Sequence, residues 1–192
     1  MKKGKVFLGY GAALVSICCI VFGVAKMFQA FQVTAPYHFA ASTKLSEREL
    51  SGVKLHDTTA SDRLKNYGGF RRVNRDRSRY EQRLWHAGLV TASIKSGRDK
   101  GKIIELMIIA DSQEAGIALP PYSSPFRTAR GIKIGNTEKQ VKKKYGKNYY
   151  TYTDAAHDKV VGYVDHNARI KLDFIFDQNG LIKIIRLADQ NI

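Results

Sequence analysis

The side chains in this 192-residue chain best suited to acid–base or metal chemistry are five histidines: His38, His56, His86, His157 and His166. His157-Asp158 and Asp165-His166 could meet across a hairpin and hold a metal ion. Closed metal sites usually need four ligands, however, and no His-Glu-x-x-His spacing is present. Exposed polar turns are the expected role of these residues. No Gly-x-Ser-x-Gly elbow occurs. The only cysteines, Cys18 and Cys19, lie in an apolar N-terminal stretch, so the rest of the chain has no thiol nucleophile, no disulfide framework and no cysteine metal site. Gly131-Ile132-Lys133-Ile134-Gly135 lacks the Gly-Lys-Ser/Thr ending of a phosphate loop, and its glycines suit a turn into a helix. The expectation is a non-catalytic protein with no metal and no cofactor.

Binding chemistry is better represented. The run RRVNRDRSRYEQR carries Arg71, Arg72, Arg75, Arg77, Arg79 and Arg83 against Asp76 and Glu81 only. Guanidinium forks suit phosphates and carboxylates, so the run is a candidate site for polyanions or an acidic partner; a solubilising face is the alternative. Lys139, Lys142, Lys143, Lys144 and Lys147 form a second cluster, expected on the outer face of a short helix. Trp85, Tyr149, Tyr150, Tyr152 and Tyr163 are candidate partner anchors, since exposed Tyr and Trp dominate many interfaces. Neighbours on a strand alternate sides, so Tyr149, Tyr150 and Tyr152 cannot all face inward. Core packing is the competing role, favoured for Trp85, whereas Tyr150 and Tyr152 are placed at the surface.

The elements that must position these groups come in two similar sets. GVKLHDTTASDRLKNYG (52–68) resembles GIKIGNTEKQVKKKYG (131–146), and Ala110-Asp111 and Ala188-Asp189 are 78 positions apart, as are Tyr67 and Tyr145 and also Trp85 and Tyr163. Such self-similarity reads as an internal duplication. In the second copy Thr137 and Gln140 have capping-box spacing, Val141 and Tyr145 share one helix face, and Gly146 ends the helix. In the first, Thr58 or Thr59 is the expected cap and Leu64 and Tyr67 face inward. After each helix the apolar period changes to two. Strands are expected at 70–74, 79–86, 89–95, 102–109, 148–153, 159–165, 170–176 and 181–187, with Asp177-Gln178-Asn179-Gly180 as a turn. Ser46 to Glu49 has the spacing to cap a brief helical turn.

FRTARGIKIGNTEKQVKKKYG resembles the start of the repeat in the β-lactamase inhibitor protein family, through Phe126, Ile132, Ile134, Gly135, Thr137, Gln140, Val141 and Gly146. It is similar as well to the small-domain architecture of the outer-membrane-assembly lipoprotein BamE. The first copy departs from the motif, with His56-Asp57 at the glycine and Ser61-Asp62 near the Gln-Val pair. The resemblance implies a tandem scaffold whose sheets grip a partner protein through aromatic residues; the partner does not transfer with the fold.

Lys2, Lys3 and Lys5 precede an uncharged run from Val6 to Ala25, about the length of a membrane-crossing helix. Lysines on that side favour a cytoplasmic N-terminus and an exported remainder; cleavage near Gly23-Val24-Ala25 would instead release a secreted protein. The expected organisation is a signal-anchor helix at 1–28, a juxtamembrane connector at 29–50, repeat 1 at 51–112, a Pro-containing linker at 113–128 and repeat 2 at 129–192. The fold class expected is α+β: a transmembrane helix, then two tandem repeats, each a short helix on its own antiparallel sheet of about four strands. Formal net charge is +15, and residues 1–28 hold four lysines and no acid, leaving 15 − 4 = +11 on the remainder. The expected partners are an acidic envelope protein, envelope polyanions or an anionic membrane surface, with enzyme inhibition a further alternative; nucleic acid is excluded by location.

Overall fold

The computed structural model describes residues 36–73, 79–85, 88–110 and 126–190. A helical turn at 36–39 is followed by β1 (Glu49–Leu50), β2 (Val53–Lys54), α1 (Asp62–Lys65), β3 (Phe70–Arg72), β4 (Tyr80–Trp85), β5 (Leu89–Ile94) and β6 (Ile103–Ile109). Then come α2 (Glu138–Tyr145), β7 (Tyr150–Thr153), β8 (Lys159–Asp165), β9 (Ile170–Phe176) and β10 (Ile182–Asp189). The eight strands expected from alternation start and end within two residues of β3 to β10.

Their assembly corrects the expected fold class. The chain is mostly β, and there are not two separate four-stranded sheets. β3 to β10 form one eight-stranded antiparallel sheet in the order β3-β4-β5-β6-β10-β9-β8-β7. The join is β6 against β10, with Ile108 opposite Ile185 and Leu106 opposite Leu187. Left unjoined, each of these strands would expose a long apolar edge. The membrane-crossing helix expected at 6–25 lies outside the described residues. Among those described, no helix is long and apolar enough to cross a membrane.

One face of the sheet is covered by α1 and α2. Leu64, Val141 and Tyr145 pack on Leu106, Ile108, Tyr163, Leu172, Phe174, Ile185 and Leu187 in a single core. α2 forms as its sequence dictates: Thr137 accepts from the Gln140 backbone N–H, while the Gln140 side chain accepts from Thr137 N–H at 2.7 Å. That reciprocal cap is worth about 1 kcal/mol. α1 is shorter, and its N-cap is Ser61 rather than either threonine. Tyr67 just beyond it reaches back to the Ser51 carbonyl.

The two halves enter the sheet through the same hydrogen bonds. His56 N–H donates to Ile103 O and Gly135 N–H to Ile182 O; Ile103 N–H returns to Asp57 O and Ile182 N–H to Asn136 O. Asp57 and Asn136 side chains accept from Lys54 and Lys133 N–H. His56 and Gly135 both adopt positive φ, 72° and 82°, which glycine tolerates at less cost than histidine. These pairs are 79 apart (135 − 56, 136 − 57, 182 − 103), as are the directly paired Met107 and Arg186. The 78-residue match of Ala110-Asp111 to Ala188-Asp189 is therefore one residue out of register on β6 and β10. On a strand such a slip exchanges the two faces.

Residues 40–50 pack onto the domain. Thr43 N–H donates to Val164 O, Leu45 N–H to the Asp165 carboxylate, and Leu45 and Leu50 join the core. Glu47 is fully buried and accepts from Tyr145 Oη at 2.5 Å. The helical turn expected at 46–49 gives way to β1, because Leu50 and Val53 close a two-residue hairpin over the core.

Gly162 on β8 sits beneath the Tyr150 ring, and an added Cβ would overlap both that ring and the Asp173 carboxylate. Gly162→Ala is expected to lower stability by about 1–3 kcal/mol, the range for overpacking. Urea unfolding checks this; an unchanged midpoint would show that Tyr150 does not lie across the glycine.

Candidate functional site

The aromatic residues singled out in the sequence lie on both faces of the sheet, mostly inside. Trp85 is buried, donates from Nε1 to Thr91 Oγ1 at 3.1 Å and packs against Phe70 at 5.0 Å between ring centroids. Tyr163 is wholly buried, with its hydroxyl donating to Gly146 O at 3.2 Å; burial pushes its pKa up to about 12. Tyr149 is half-buried beside it, with Lys142 Nζ 3.9 Å above the ring centroid. Tyr150 and Tyr152 point to the opposite face and stack on each other at 6.3 Å. Tyr150 is only 5% exposed, which replaces the surface position expected for it; Tyr152 is half-buried.

That opposite face carries a cluster the sequence reading missed. Asp173 on β9 is 1% exposed. Arg186 on β10 donates to its Oδ2 from Nε (3.0 Å) and Nη2 (2.5 Å), while Tyr150 Oη donates to its Oδ1. Arg186 Nη2 also donates to Tyr152 Oη at 2.7 Å. Lys171, two residues before Asp173, lies with its Nζ 4.9 Å from the Tyr37 ring centroid. Glu105 on β6, opposite Ala188, completes the group and makes no hydrogen bond among the described residues. Burial raises the Tyr150 pKa, as does the Asp173 charge; burial and Asp173 push Tyr152 up to about 12. Burial lowers Lys171 and raises Glu105, the latter against the pull of Arg186 and Lys171. The sequence signal in IKLDFIF was slight: Lys171 and Asp173 read as an outward face, and only Ile175 on that face hints that it too is buried. Chemically the cluster is self-consuming: Asp173 Oδ2 is taken by Arg186 and Oδ1 by Tyr150, and the Arg186 fork is spent on Asp173 and Tyr152.

The arginine run is partly neutralised. Arg72 and Arg83, opposite each other on β3 and β4, both bind Glu81, with Nε to Oε1 at 2.8 and 3.2 Å. Arg83 also lies 4.4 Å over the Phe70 ring. Arg71 is exposed on β3 and Arg79 just before β4, whereas Arg75 and Arg77 lie outside the described residues. Of the lysine cluster, Lys142 pairs with Glu138 at 2.7 Å.

The histidine pairs do not meet. His157-Asp158 and Asp165-His166 flank opposite ends of β8, seven residues and so about 20 Å apart. Asp158 binds Lys183 at 2.5 Å; Asp165 accepts from Leu45 and Ala168 N–H; His166 contacts Ala40 O and the Gln190 amide. No group of three potential metal ligands is found among the described residues.

The open surface lies at the outer strand. Phe70 is 43% and Val73 48% exposed, two of the three large hydrophobic residues the described surface displays, with Phe39 the third. They flank Arg71 and Arg72, all of β3 is exposed, and among the described residues β3 pairs with β4 alone.

No protein-family model matches the chain, and no curated protein matches it. Among solved structures it is similar to a DUF4309 family protein (YjgB) from Bacillus subtilis, at 15% identity and a TM-score of 0.42, over 77% of this chain and 88% of that one. A likeness of that size carries nothing about function.

Two expectations follow from the cluster. Arg186→Met would strand a buried Asp173 charge and cost about 3–5 kcal/mol, while adding Asp173→Asn should recover much of the loss; denaturant unfolding of the single and double variants reads this. Glu105 has a raised folded pKa, so its contribution is present below the unfolded value of about 4.3 and lost as pH rises through the folded one. Glu105→Gln should therefore match the parent at low pH and become the more stable protein towards neutrality. A stability difference that does not vary with pH would contradict that environment for Glu105.

Proposed function

We propose that this chain is a non-catalytic protein-binding module that works outside the cytoplasm and engages its partner at the β3 end of the sheet. The observation that carries the reading is the exposed Phe70 and Val73 to either side of Arg71 and Arg72, along β3 and the residue after it at one end of the eight-stranded sheet. Apolar contact area beside arginine is the composition of interface centres. Asp173, Arg186 and Tyr150 on the second face support it too, because they are engaged with one another rather than poised for a substrate. Export is supported by Lys2, Lys3 and Lys5 ahead of the uncharged run 6–25. The resemblance to the β-lactamase inhibitor proteins favours a sheet as the gripping element. The burial of Trp85, Tyr150 and Tyr163 moves the grip from those rings to the edge.

A pure polyanion binder is the weaker reading. Glu81 already occupies two of the arginines, which lowers the density of unpaired charge on the run.

The full chain, immobilised and exposed to an envelope extract of the producing cell, tests the choice. Washing at low salt and then near 0.5 M separates screened from packed contacts. A discrete protein retained through the high-salt wash and lost on Phe70→Ala is the expected outcome. Retention of wall polymer or lipid alone, released by salt, would replace this reading with the polyanion one.

A further inference from the structure

We propose that the cavity between the 40–50 segment and the β8–β9 turn binds a small phosphorylated polyol, at a site apart from the β3 end. The cavity has a volume of about 550 Å³, within the usual range for a small-molecule site. Ser42, Lys44 and Arg48 line it from the segment, and Asp165 and Asn167 from the end of β8 and the turn. Backbone donors hold the two walls together. Thr43 N–H donates to Val164 O at 2.7 Å, and Leu45 and Ala168 N–H donate to separate oxygens of Asp165 at 3.0 and 2.9 Å. The fold itself therefore fixes the spacing of the lining groups.

The lining is cationic. The Lys44 and Arg48 side chains make no hydrogen bond or ion pair among the described residues. The acids beside them are already taken: Glu47 is fully buried and accepts from Tyr145 Oη, and Glu49 lies 3.7 Å from Arg63. Arg130 adds a third cation next to Lys44, since its guanidinium donates to the Lys44 and Lys144 carbonyls at 2.7 and 3.0 Å. An arginine fork beside a lysine ammonium suits a phosphate. Asp165 then calls for hydroxyl groups. A carboxylate offers about four acceptor sites, and the Leu45 and Ala168 bonds leave room on both oxygens. Ser42 Oγ accepts from His166 N–H at 3.2 Å and keeps its own O–H to donate, while the Asn167 amide makes no hydrogen bond among the described residues. A phosphate carrying neighbouring hydroxyls meets all of these groups. An ammonium-bearing ligand would meet three like charges, and among the described residues no aromatic ring lines the cavity to stack a nucleotide base.

The probe is glycerol 1-phosphate, titrated against the full chain with amide hydrogen exchange as readout. Slowed exchange at Leu45 and Ala168, the two amides bonded to Asp165, is expected on binding. Lys44→Ala and Arg48→Ala should each weaken the ester by about tenfold, roughly the weight of one charge-assisted hydrogen bond. Both side chains are exposed, so the unfolding midpoint should stay that of the parent. Lys139→Ala removes the same charge from the first turn of α2 and should leave the affinity nearly unchanged, because a distant exposed charge is screened. Inorganic phosphate should bind more weakly than the ester, and Asn167→Ala should erase that preference. Phosphatidylglycerol vesicles that displace the ester would assign the group to a lipid headgroup, and vesicles that do not would assign it to a free ester. Equal weakening by Lys139→Ala, equal affinity for inorganic phosphate, or unaltered Leu45 and Ala168 exchange at saturating ester would each overturn the site. The envelope capture that Phe70→Ala abolishes reads the other end of the sheet, so either site can fail while the other stands.

Discussion

The structure depends on the antiparallel pairing of β6 with β10. Each half of the chain supplies four strands, and a four-stranded sheet with β6 or β10 at its edge would leave seven or eight residues of apolar backbone open to water and to other chains. Joining them removes both edges at once and buries Leu106, Ile108, Ile185 and Leu187 in one core. It also fixes where the remaining edges lie. β3 and β7, both short, become the ends of an eight-stranded sheet, and every surface available to a partner is set by that order.

The join has a second effect, on the face away from the helices. The β9–β10 hairpin aligns Arg186 with Asp173, and the join closes its other side with Met107 of β6. The ion pair made there is buried on the carboxylate side and completed by the Tyr150 hydroxyl. Burying two charges costs several kcal/mol, offset only when the remaining hydrogen-bonding capacity is met. Tyr150 can meet it because residue 162 has no side chain to stand in the way. Gly162, Tyr150, Asp173 and Arg186 thus form a single device, spread over four strands, that holds the second face in register. Its neighbours Glu105 and Lys171 share the same low-polarity surroundings, which push their titration away from the usual ranges in opposite directions.

Function is then a matter of what the core does not absorb. The aromatic residues are mostly consumed by packing, and two arginines of the basic run share one glutamate. Among the described residues, the apolar side chains left outside include Phe70 and Val73, on β3 and just beyond it. The segment from 40 to 50, held by Asp165 and by the buried Glu47–Tyr145 hydrogen bond, ties the opposite end of the sheet to the chain's own N-terminal portion. The two ends of the sheet are therefore chemically unequal, although the halves enter it through the same hydrogen bonds.

By itself the sequence determined the local elements. Period-two alternation placed eight strands, and Thr137, Gln140 and Gly146 placed α2 with its cap, because turn chemistry and side-chain period act over a few neighbouring residues. The sequence could not decide which strands would meet, since the pairing of β6 with β10 joins residues nearly eighty positions apart through interchangeable aliphatic side chains. Nor could it decide the face of Tyr150 or the 79-residue register of the halves. One residue of slip reverses the two faces, and Lys171 and Asp173 alternate in IKLDFIF as solvent-facing residues would, although both faces are buried. What the tertiary structure alone decided was the assembly of Asp173, Arg186, Tyr150 and Gly162, because a buried charge is satisfied by whatever the sheet order brings beside it.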